Sequence, residues 1–325
     1  MAVIRVKKDY PTIQEAVNAA FLGDIIIIEK GVYSEQVTVS TNYIQIVGEP
    51  GVELDGKFKL SYGFILNNVS SVKIKNLKIK NFLLSGIYVN GGTFNTISKN
   101  ILEDNNNEGI TLYNSTNALI CENYICGNGY YGIYEYQSRN AKIEHNHIIS
   151  SGSAGIYVQS TDSGAYIYCN EILRNGYGII SYGSNINIVE NEVCENLSYG
   201  IYFYSNTIVS KNKVVGNFSD GLYTYGVNSV VNENKVVKNH RNGIYCDGNY
   251  NTIAQNMFFA NKNFGIYLTS SLNTVIKNVA KGNSVYDIVR LRPNNYLIDN
   301  ECKTSNPAGL CDKCFNDKQQ VEENV

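Results

Sequence analysis

The chain has 325 residues, of which 17% are charged, and its formal net charge is −2. Without a basic stripe, this near balance gives no electrostatic reason to expect a nucleic acid or an anionic membrane surface as a partner. A membrane-spanning helix needs about 20 consecutive apolar residues, and no stretch of the sequence reaches that length. We therefore predict neither a nucleic-acid partner nor a membrane partner.

The sequence opens on strand-like residues. Met1 to Val6 lack the basic region and long apolar core of a secretory signal. We therefore predict synthesis in the cytoplasm. The final location (cytoplasm, spore or particle surface) stays open, because a mature form or release by lysis would give the same pattern.

A helix is predicted next. Thr12-Ile13-Gln14-Glu15 has the pattern of a capping box, and residues 16–20 place apolar side chains at helical spacing. Solenoids have open ends with unpaired strand edges, so we predict that this amphipathic helix covers the first coil. Residues 1–60 are assigned to the N-terminal cap and the first coils.

From Gly86 onward the chain repeats Gly-Ile-Tyr, or a close relative, ten times at intervals of 21 to 23 residues. A fixed short period indicates a solenoid. Short Val- and Ile-rich segments bounded by Asn, Gly or Ser predict strands with sharp corners. A leucine-rich repeat would need Leu-x-x-Leu-x-Leu phrases, which are absent. We predict one continuous all-β domain, a parallel β-helix solenoid of about ten to twelve coils, with its regular coils over residues 61–302.

Asparagine recurs in step with this phrase. At a sharp corner each side-chain amide can bond its equivalents above and below together with backbone groups of the turn. The predicted ladder consists of Asn76, Asn100, Asn123, Asn146, Asn170, Asn191, Asn212, Asn234, Asn256, Asn278 and Asn300.

Tyrosine is concentrated on one predicted face. Alternate residues of a strand point to opposite sides, so an inward Ile in Gly-Ile-Tyr-x-Tyr sends both tyrosines outward. The preference of Tyr for exposed sheets explains part of this pattern. A flat array of rigid rings with hydroxyl tips also suits a bound ligand with apolar faces and polar edges, as sugars have. The predicted binding residues are Tyr88, Tyr113, Tyr134, Tyr136, Tyr157, Tyr182, Tyr202, Tyr204, Tyr223, Tyr225, Tyr245 and Tyr267.

The carboxylates on this face bear on catalysis. Glycosidases need two carboxyl groups about 5 to 9.5 Å apart. Glu108 lies several coils from the others, and Asp220 and Asp247 are separated by roughly 14 Å along the strand direction. The neighbouring His240 and Arg241 either form a solvated turn or supply a base and an anion contact. Asp220, Arg241 and Asp247 are the candidate catalytic residues.

Glu135 falls at an inward position. Burying an isolated charge is costly, so we expect a local bend to turn this side chain outward.

A divalent metal site is a further candidate. His145 and His147 flank the inward Asn146 and are predicted to share a face, with Cys169 and Glu171 at the same offsets one coil later. Imidazole, thiolate and carboxylate together suit zinc or copper. The alternative is a surface charge ladder, since the column continues with charged residues. No other cofactor is expected.

The eight cysteines are scattered over different coils. This suits a reducing compartment, with the thiols as small core residues. Cys302, Cys311 and Cys314 form C-x8-C-x2-C, which lacks a fourth metal ligand and predicts a disulfide or free thiols. Residues 303–325 lose the repeat and are predicted to form a short C-terminal cap and a polar tail.

The opening residues carry a family resemblance. Residues 12–16, 23–28, 31–35 and 47–48 resemble the start of pectin-lyase-like right-handed β-helix proteins, and the later coils resemble the repeats of its NosD-like group. The resemblance implies a right-handed coil over nearly the whole chain. That superfamily holds lyases, esterases, hydrolases, uronate epimerases, tailspikes, adhesins and copper-loading proteins, so it implies no single activity.

The function expected from these patterns is binding of an extended polysaccharide along the tyrosine face. One alternative is a self-assembling structural protein of a lattice, spore or phage surface, whose partners are copies of itself. The other is a lyase, hydrolase or epimerase that acts on uronate polysaccharides.

Overall fold

The computed structural model describes residues 1–160 and 163–312. Within these residues the chain forms the helix Ile13–Ala19 and forty short strands. Each coil passes through three parallel sheets in the same order, and each new coil adds one strand to each sheet. The described part of the chain contains no helix that is long and apolar enough to cross a membrane.

The three sheets are numbered in the order in which a coil visits them. Sheet 1 consists of fourteen strands: Val3–Val6, Ile25–Ile28, Gln45–Gly48, Lys73–Lys75, Thr96–Ser98, Leu119–Cys121, Lys142–Glu144, Tyr166–Tyr168, Asn187–Val189, Ile208–Ser210, Val230–Asn232, Thr252–Ala254, Thr274–Ile276 and Tyr296–Ile298.

Sheet 2 consists of thirteen strands: Gly31–Tyr33, Val52–Asp55, Lys78–Lys80, Ile101–Glu103, Tyr124–Cys126, His147–Ile149, Glu171–Leu173, Glu192–Cys194, Lys213–Val215, Lys235–Val237, Met257–Phe259, Val279–Lys281 and Glu301–Cys302.

Sheet 3 also consists of thirteen strands: Val37–Val39, Phe64–Asn67, Ile87–Asn90, Ile110–Tyr113, Tyr131–Tyr136, Ala154–Gln159, Tyr177–Ser181, Ile201–Phe203, Leu222–Thr224, Ile244–Cys246, Phe264–Leu268, Tyr286–Arg290 and Ser305–Asn306.

The predicted parallel β-helix is confirmed, but it has about fourteen coils, more than the ten to twelve expected. The additional coils lie mainly at the N-terminal end, where Val3–Val6, Ile25–Ile28 and Gln45–Gly48 already belong to sheet 1. These strands have the alternating Val and Ile that a solenoid interior needs. They lack the Gly-Ile-Tyr phrase and the corner asparagine by which the later coils were counted.

The interior is a continuous column of aliphatic side chains. Each coil supplies inward residues from all three sheets, as Ile143, Ile148 and Ile156 do with no exposed surface. Full burial of such a side chain stabilises the fold by about 1.5–3 kcal/mol. Because every coil makes the same contribution, the rod has no single central core.

The helix covers the first coil, as predicted. Thr12 caps its N-terminus, where its hydroxyl accepts from the Glu15 backbone N–H at 3.1 Å. The Glu35 carboxylate accepts two further free N–H groups, those of Ile13 at 3.1 Å and Gln14 at 2.9 Å. Ile13, Ala16 and Val17 are buried, so the helix closes the open end with its apolar face.

Buried asparagines form the predicted ladder at the corner between sheets 1 and 2. Asn146 is typical: its amide donates to the Ile120 carbonyl at 2.9 Å and to the Asn170 side chain at 3.0 Å. Its own side-chain oxygen accepts from Asn123. The residue before each ladder position has left-handed backbone, with φ of 55° at His145, so the amides bond the groups that this turn leaves unpaired.

Asn76 was wrongly placed in this ladder. Its side chain is exposed, and the position equivalent to Asn100 is Leu77, whose backbone N–H donates to the Asn100 side chain. The ladder therefore begins at Asn100. An unpredicted second ladder lies at the end of sheet 2 and contains Asn105, Asn128, Asn175, Asn196, Asn217, Asn239, Asn261 and Asn283.

The expectation that Glu135 turns outward is wrong. Its side chain is fully buried between the inward positions of Leu112 and Val158. The Ser163 hydroxyl donates to one carboxyl oxygen at 2.6 Å, and the other has no hydrogen-bond partner among the residues that the structure describes. Burial raises the pKa of Glu135 to about 8, so the group avoids the cost of a buried charge by keeping its proton.

The cysteines follow the expectation only in part. Cys246 is buried as a core residue, whereas the thiols of Cys121, Cys126, Cys169 and Cys194 lie at half-buried outward positions. Cys302 and Cys311 form a disulfide in the last coil, one of the two states predicted for them. Cys314 and the predicted polar tail lie outside the described residues.

Candidate functional site

All twelve predicted tyrosines lie on the outer face of sheet 3, at or directly after its strands. We call this surface the tyrosine face. The strand register places them in two adjacent columns that run along the rod. The first column holds Tyr88, Tyr134, Tyr157, Tyr202, Tyr223, Tyr245 and Tyr267, and the second holds Tyr113, Tyr136, Tyr182, Tyr204 and Tyr225.

The tyrosine rings contact one another from coil to coil. Tyr202 and Tyr223 stack with ring centroids 5.2 Å apart and planes 6° apart, and Tyr223 and Tyr245 stack at 4.9 Å and 7°. This spacing follows from the ~4.8 Å distance between neighbouring strands. Other neighbouring rings meet edge to face, as Tyr245 and Tyr267 do at 5.1 Å and 79°. Each ring is therefore packed against its neighbours, and together the rings present a continuous surface.

Further aromatic side chains widen the face at the N-terminal ends of the sheet 3 strands. Tyr131 stacks on Tyr157 at 4.6 Å, and Tyr199 lies 4.9 Å from Tyr223. Phe264 contacts Tyr267 at 4.8 Å. The face is thus up to three aromatic columns wide.

The phenol groups of Tyr134 and Tyr223 stay neutral at physiological pH. Burial, followed by the neighbouring tyrosines, raises the pKa of Tyr134 to about 12 and that of Tyr223 to about 12. Neutral hydroxyls both donate and accept hydrogen bonds. The Tyr134 hydroxyl, for example, donates to the Gln159 side chain at 3.0 Å.

The second column has a gap at Gln159, which lies between Tyr136 and Tyr182. The gap opens into a depression of about 610 Å³. A volume of this size is within the range of small-ligand sites. Its lining is polar apart from the two rings and consists of Asn114, Tyr136, Gln137, Arg139, Gln159, Ser160 and Tyr182.

Glu108 lies at the edge of the aromatic columns. The Ser85 hydroxyl donates to its carboxylate at 3.0 Å, and the Thr111 hydroxyl lies 3.5 Å from the same oxygen. Burial nevertheless raises the pKa of Glu108. Sequence reasoning placed this residue on the face but did not anticipate the shift, which comes from its burial in the folded chain.

The structure brings together two of the three candidate catalytic residues. Arg241 lies 3.5 Å from an oxygen of Asp220, and its guanidinium lies over the Tyr245 ring. Asp220 is fully buried, its other oxygen accepts from Asn242 at 2.9 and 2.6 Å, and burial raises its pKa. Because Arg241 covers Asp220, this carboxyl does not reach the surface of the face.

Asp247 lies apart from that ion pair. It continues the second tyrosine column one coil after Tyr225 and accepts a hydrogen bond from the Thr269 hydroxyl. His240 packs on Phe218 with ring centroids 4.4 Å apart. The three candidate residues are therefore not gathered around one point.

The four predicted metal ligands are divided between two clusters. Sheet 1 ends at Glu144 and sheet 2 begins at His147, so His145 and His147 lie on opposite sides of a corner and do not share a face. His147 bonds Glu171 at 2.6 Å, while the Cys169 thiol donates to Glu190 at 3.7 Å. Among the described residues no three His, Cys, Asp or Glu side chains gather as a metal ion would require.

Comparison with known proteins places this fold. The family model described as the right handed beta helix region matches residues 62–230 and 161–304, together well over half of the chain. The chain belongs to the right-handed β-helix family. A search of curated protein sequences finds no match to it.

Solved structures of similar fold agree with the family assignment. The A-module of the Azotobacter vinelandii mannuronan C-5 epimerase AlgE6 is 16% identical, with a TM-score of 0.76 over 90% of this chain and 94% of its own. XylC in complex with xylose is 11% identical, with a TM-score of 0.67 over 92% and 86% of the two chains. DFA-IIIase from Arthrobacter chlorophenolicus A6 in complex with GF2 is 14% identical, with a TM-score of 0.62 over 92% and 93%. At these identities the similarity establishes a shared right-handed β-helix.

Proposed function

We propose that the protein binds an extended polysaccharide along the tyrosine face. The observation that carries this proposal is the succession of ring contacts from Tyr88 to Tyr267. The contacts pass through the second column where Thr111 and Ile180 interrupt the first. From Tyr88 to Tyr267 the first column spans eight coil steps, or about 38 Å at ~4.8 Å per step. A surface of this length suits a polymer that contacts many rings at once.

The chemistry of the face suits sugars. A sugar ring has an apolar C–H face, which packs on an aromatic ring, and polar edges, which need hydrogen-bond partners. The neutral tyrosine hydroxyls meet the second requirement. The similar structures include a mannuronan C-5 epimerase, an alginate epimerase and a complex with xylose, which supports a carbohydrate ligand.

Affinity electrophoresis tests the proposal. The protein is run through native gels cast with pectate, alginate, xylan or peptidoglycan, and we expect retardation by at least one polymer. The double variant Tyr202→Ala/Tyr223→Ala removes two stacked rings and is expected to weaken binding by about 5- to 150-fold, from ~0.5–1.5 kcal/mol for each ring.

Tyr296→Ala is the matched control. Tyr296 is 60% exposed but lies on sheet 1, so its loss should leave the retardation unchanged. Normal mobility of the wild type in every gel, or equal effects of the two kinds of variant, would contradict the proposal.

Glu108 favours a second proposal, proton transfer to or from a bound sugar chain. A carboxyl group whose pKa is raised toward neutrality can act as a general acid. Glu108 is five coils from Asp220, or about 24 Å, so these two do not form the carboxylate pair of a glycosidase. Turnover of a retarding polymer that is lost in Glu108→Gln and kept in Asp247→Asn would support this role. Absence of turnover by the wild type would rule it out.

A further inference from the structure

The outer face of sheet 2, away from the tyrosines, carries an apolar stripe. Six successive coils place an uncharged, mostly aliphatic side chain at the same outward position. These residues are Ile149, Leu173, Cys194, Val215, Val237 and Phe259. Ile149 is buried and the other five are half-buried, so a partner would cover the part of their apolar surface that still meets solvent.

Beside the stripe lies a column of charges in an unusual order. Successive coils place Glu171, Glu192, Lys213 and Lys235 at the other outward position. Like charges on neighbouring strands are unfavourable, so this order is poorer for a single chain than strict alternation. If a second copy of the column runs in the opposite direction, however, each glutamate lies opposite a lysine.

We propose that two copies of the chain pack antiparallel through sheet 2. The two-fold axis runs along the strand direction and passes between the coils of Glu192 and Lys213. Glu192 then faces Lys213 of the second copy, and Glu171 faces Lys235 of the second copy. In the stripe, Cys194 faces Val215, Leu173 faces Val237 and Ile149 faces Phe259 of the second copy.

The corner column between sheets 1 and 2 supports the same axis independently. The same reversal makes five pairs of its residues, of which three have opposite charges: Glu190 with Lys211, Glu122 with Lys277, and Lys99 with Asp299. The other two, Cys169 with Glu233 and His145 with Gln255, bring no like charges together. At the far rim Arg174 meets Lys238 as a like pair, but both are exposed corner residues, where solvent and salt screen the repulsion.

The size of the surface sets the expected strength. The ten coils from Lys99 to Asp299 and three residues of a strand cover roughly 43 by 10 Å, on the order of 430 Å² per copy. This is at the low end for specific interfaces, so we expect a dimer that forms at micromolar concentrations. Both tyrosine faces stay open, so the dimer would engage a polymer at two sites and gain avidity.

Sedimentation equilibrium tests the proposal. Protein concentrations from roughly 1 to 500 μM span the micromolar range in which the dimer is expected to form. The wild type should dimerise. Glu192→Lys and Lys213→Glu each turn two attractive contacts into repulsive ones at the axis, and each should weaken self-association at least about tenfold. An equimolar mixture of the two variants should recover a mixed dimer, because each lysine then faces a glutamate.

Each substitution also breaks the Glu192–Lys213 contact of 2.8 Å within its own chain, and mixing the variants does not restore that contact. Recovery of a dimer in the mixture would therefore show that the substitutions act on the interface and not on folding. Lys142→Glu on sheet 1 is the matched charge-reversal control and should dimerise normally. A monomeric wild type at the highest concentration would overturn the proposal. So would variants that dimerise as the wild type does, or a dimer disrupted by Tyr202→Ala/Tyr223→Ala in place of the charge reversals.

Discussion

Glu135 makes the stability of the rod depend on pH. Its carboxyl group is fully buried and receives one hydrogen bond, from Ser163. Burial raises its pKa from the ordinary 4.5 to about 8. Between these two pH values the folded chain keeps a proton that the unfolded chain releases. The free energy of unfolding therefore falls as the pH rises.

The size of the effect follows from the shift. At 1.36 kcal/mol per unit, a rise from 4.5 to about 8 corresponds to up to about 5 kcal/mol of stability. This amount is fully present below pH 4.5, falls as the pH rises, and is lost above about pH 8. Glu135→Gln keeps an acceptor for Ser163 and does not titrate, so it should match the wild type at pH 4.5 and exceed its stability at pH 9.

Denaturant unfolding at several pH values from 4.5 to 9 measures this difference. Glu195→Gln, an exposed glutamate at a corner of the same rod, is the control and should follow the wild-type curve. Parallel curves for the wild type and Glu135→Gln would refute the reasoning, because they would show that Glu135 ionises as easily in the folded chain as in the unfolded one.

Three further outcomes are expected. Asn146→Ala removes the side-chain hydrogen bonds that Asn146 makes to the Ile120 carbonyl, to the backbone and side chain of Asn123, and to the Asn170 side chain. Its free energy of unfolding should therefore fall by about 2–4 kcal/mol, whereas the outward Asn187→Ala should change it by less than about 0.5 kcal/mol. Reduction of the Cys302–Cys311 disulfide should speed hydrogen exchange in the strands Tyr296–Ile298 and Glu301–Cys302 but not in the middle coils. The reason is that each coil of a solenoid is stabilised mainly by its direct neighbours. Faster exchange throughout the chain would contradict this. Tyr223→Phe keeps the stacked ring and should bind a retarding polymer within about threefold of the wild type, while Tyr223→Ala should lose about five- to tenfold; equal losses would show that the hydroxyl, and not the ring, makes the contact.

The periodic part of the fold could be predicted from the sequence because each coil solves the same packing problem. The Gly-Ile-Tyr phrase fixes which side chains point inward, and the register then places all twelve tyrosines on one sheet. Coils that lack the Gly-Ile-Tyr phrase and the corner asparagine were missed. Leu77 fills the ladder position that Asn76 was predicted to fill, since a one-residue difference at a corner is invisible to a pattern of asparagines.

The corners also explain the errors at individual sites. His145 and His147 are two residues apart, as neighbours on one face of a strand would be, but a left-handed residue between two sheets sends them to different faces. Glu135 was expected outside because a buried charge is costly. The structure avoids that cost by protonation, which no periodicity reveals. The raised pKa of Glu108 likewise comes from its burial in the folded chain, which the spacing of residues does not reveal.

Chemical modification of the tyrosines tests binding by the tyrosine face most directly. The protein is nitrated with tetranitromethane alone and in the presence of pectate, alginate or xylan, and the modified residues are mapped by mass spectrometry. We predict that one polymer protects Tyr202, Tyr223 and Tyr245 together, while Tyr296 on sheet 1 reacts at an unchanged rate. Protection of Tyr296 to the same degree, or unchanged nitration of the tyrosine face with every polymer, would contradict the account.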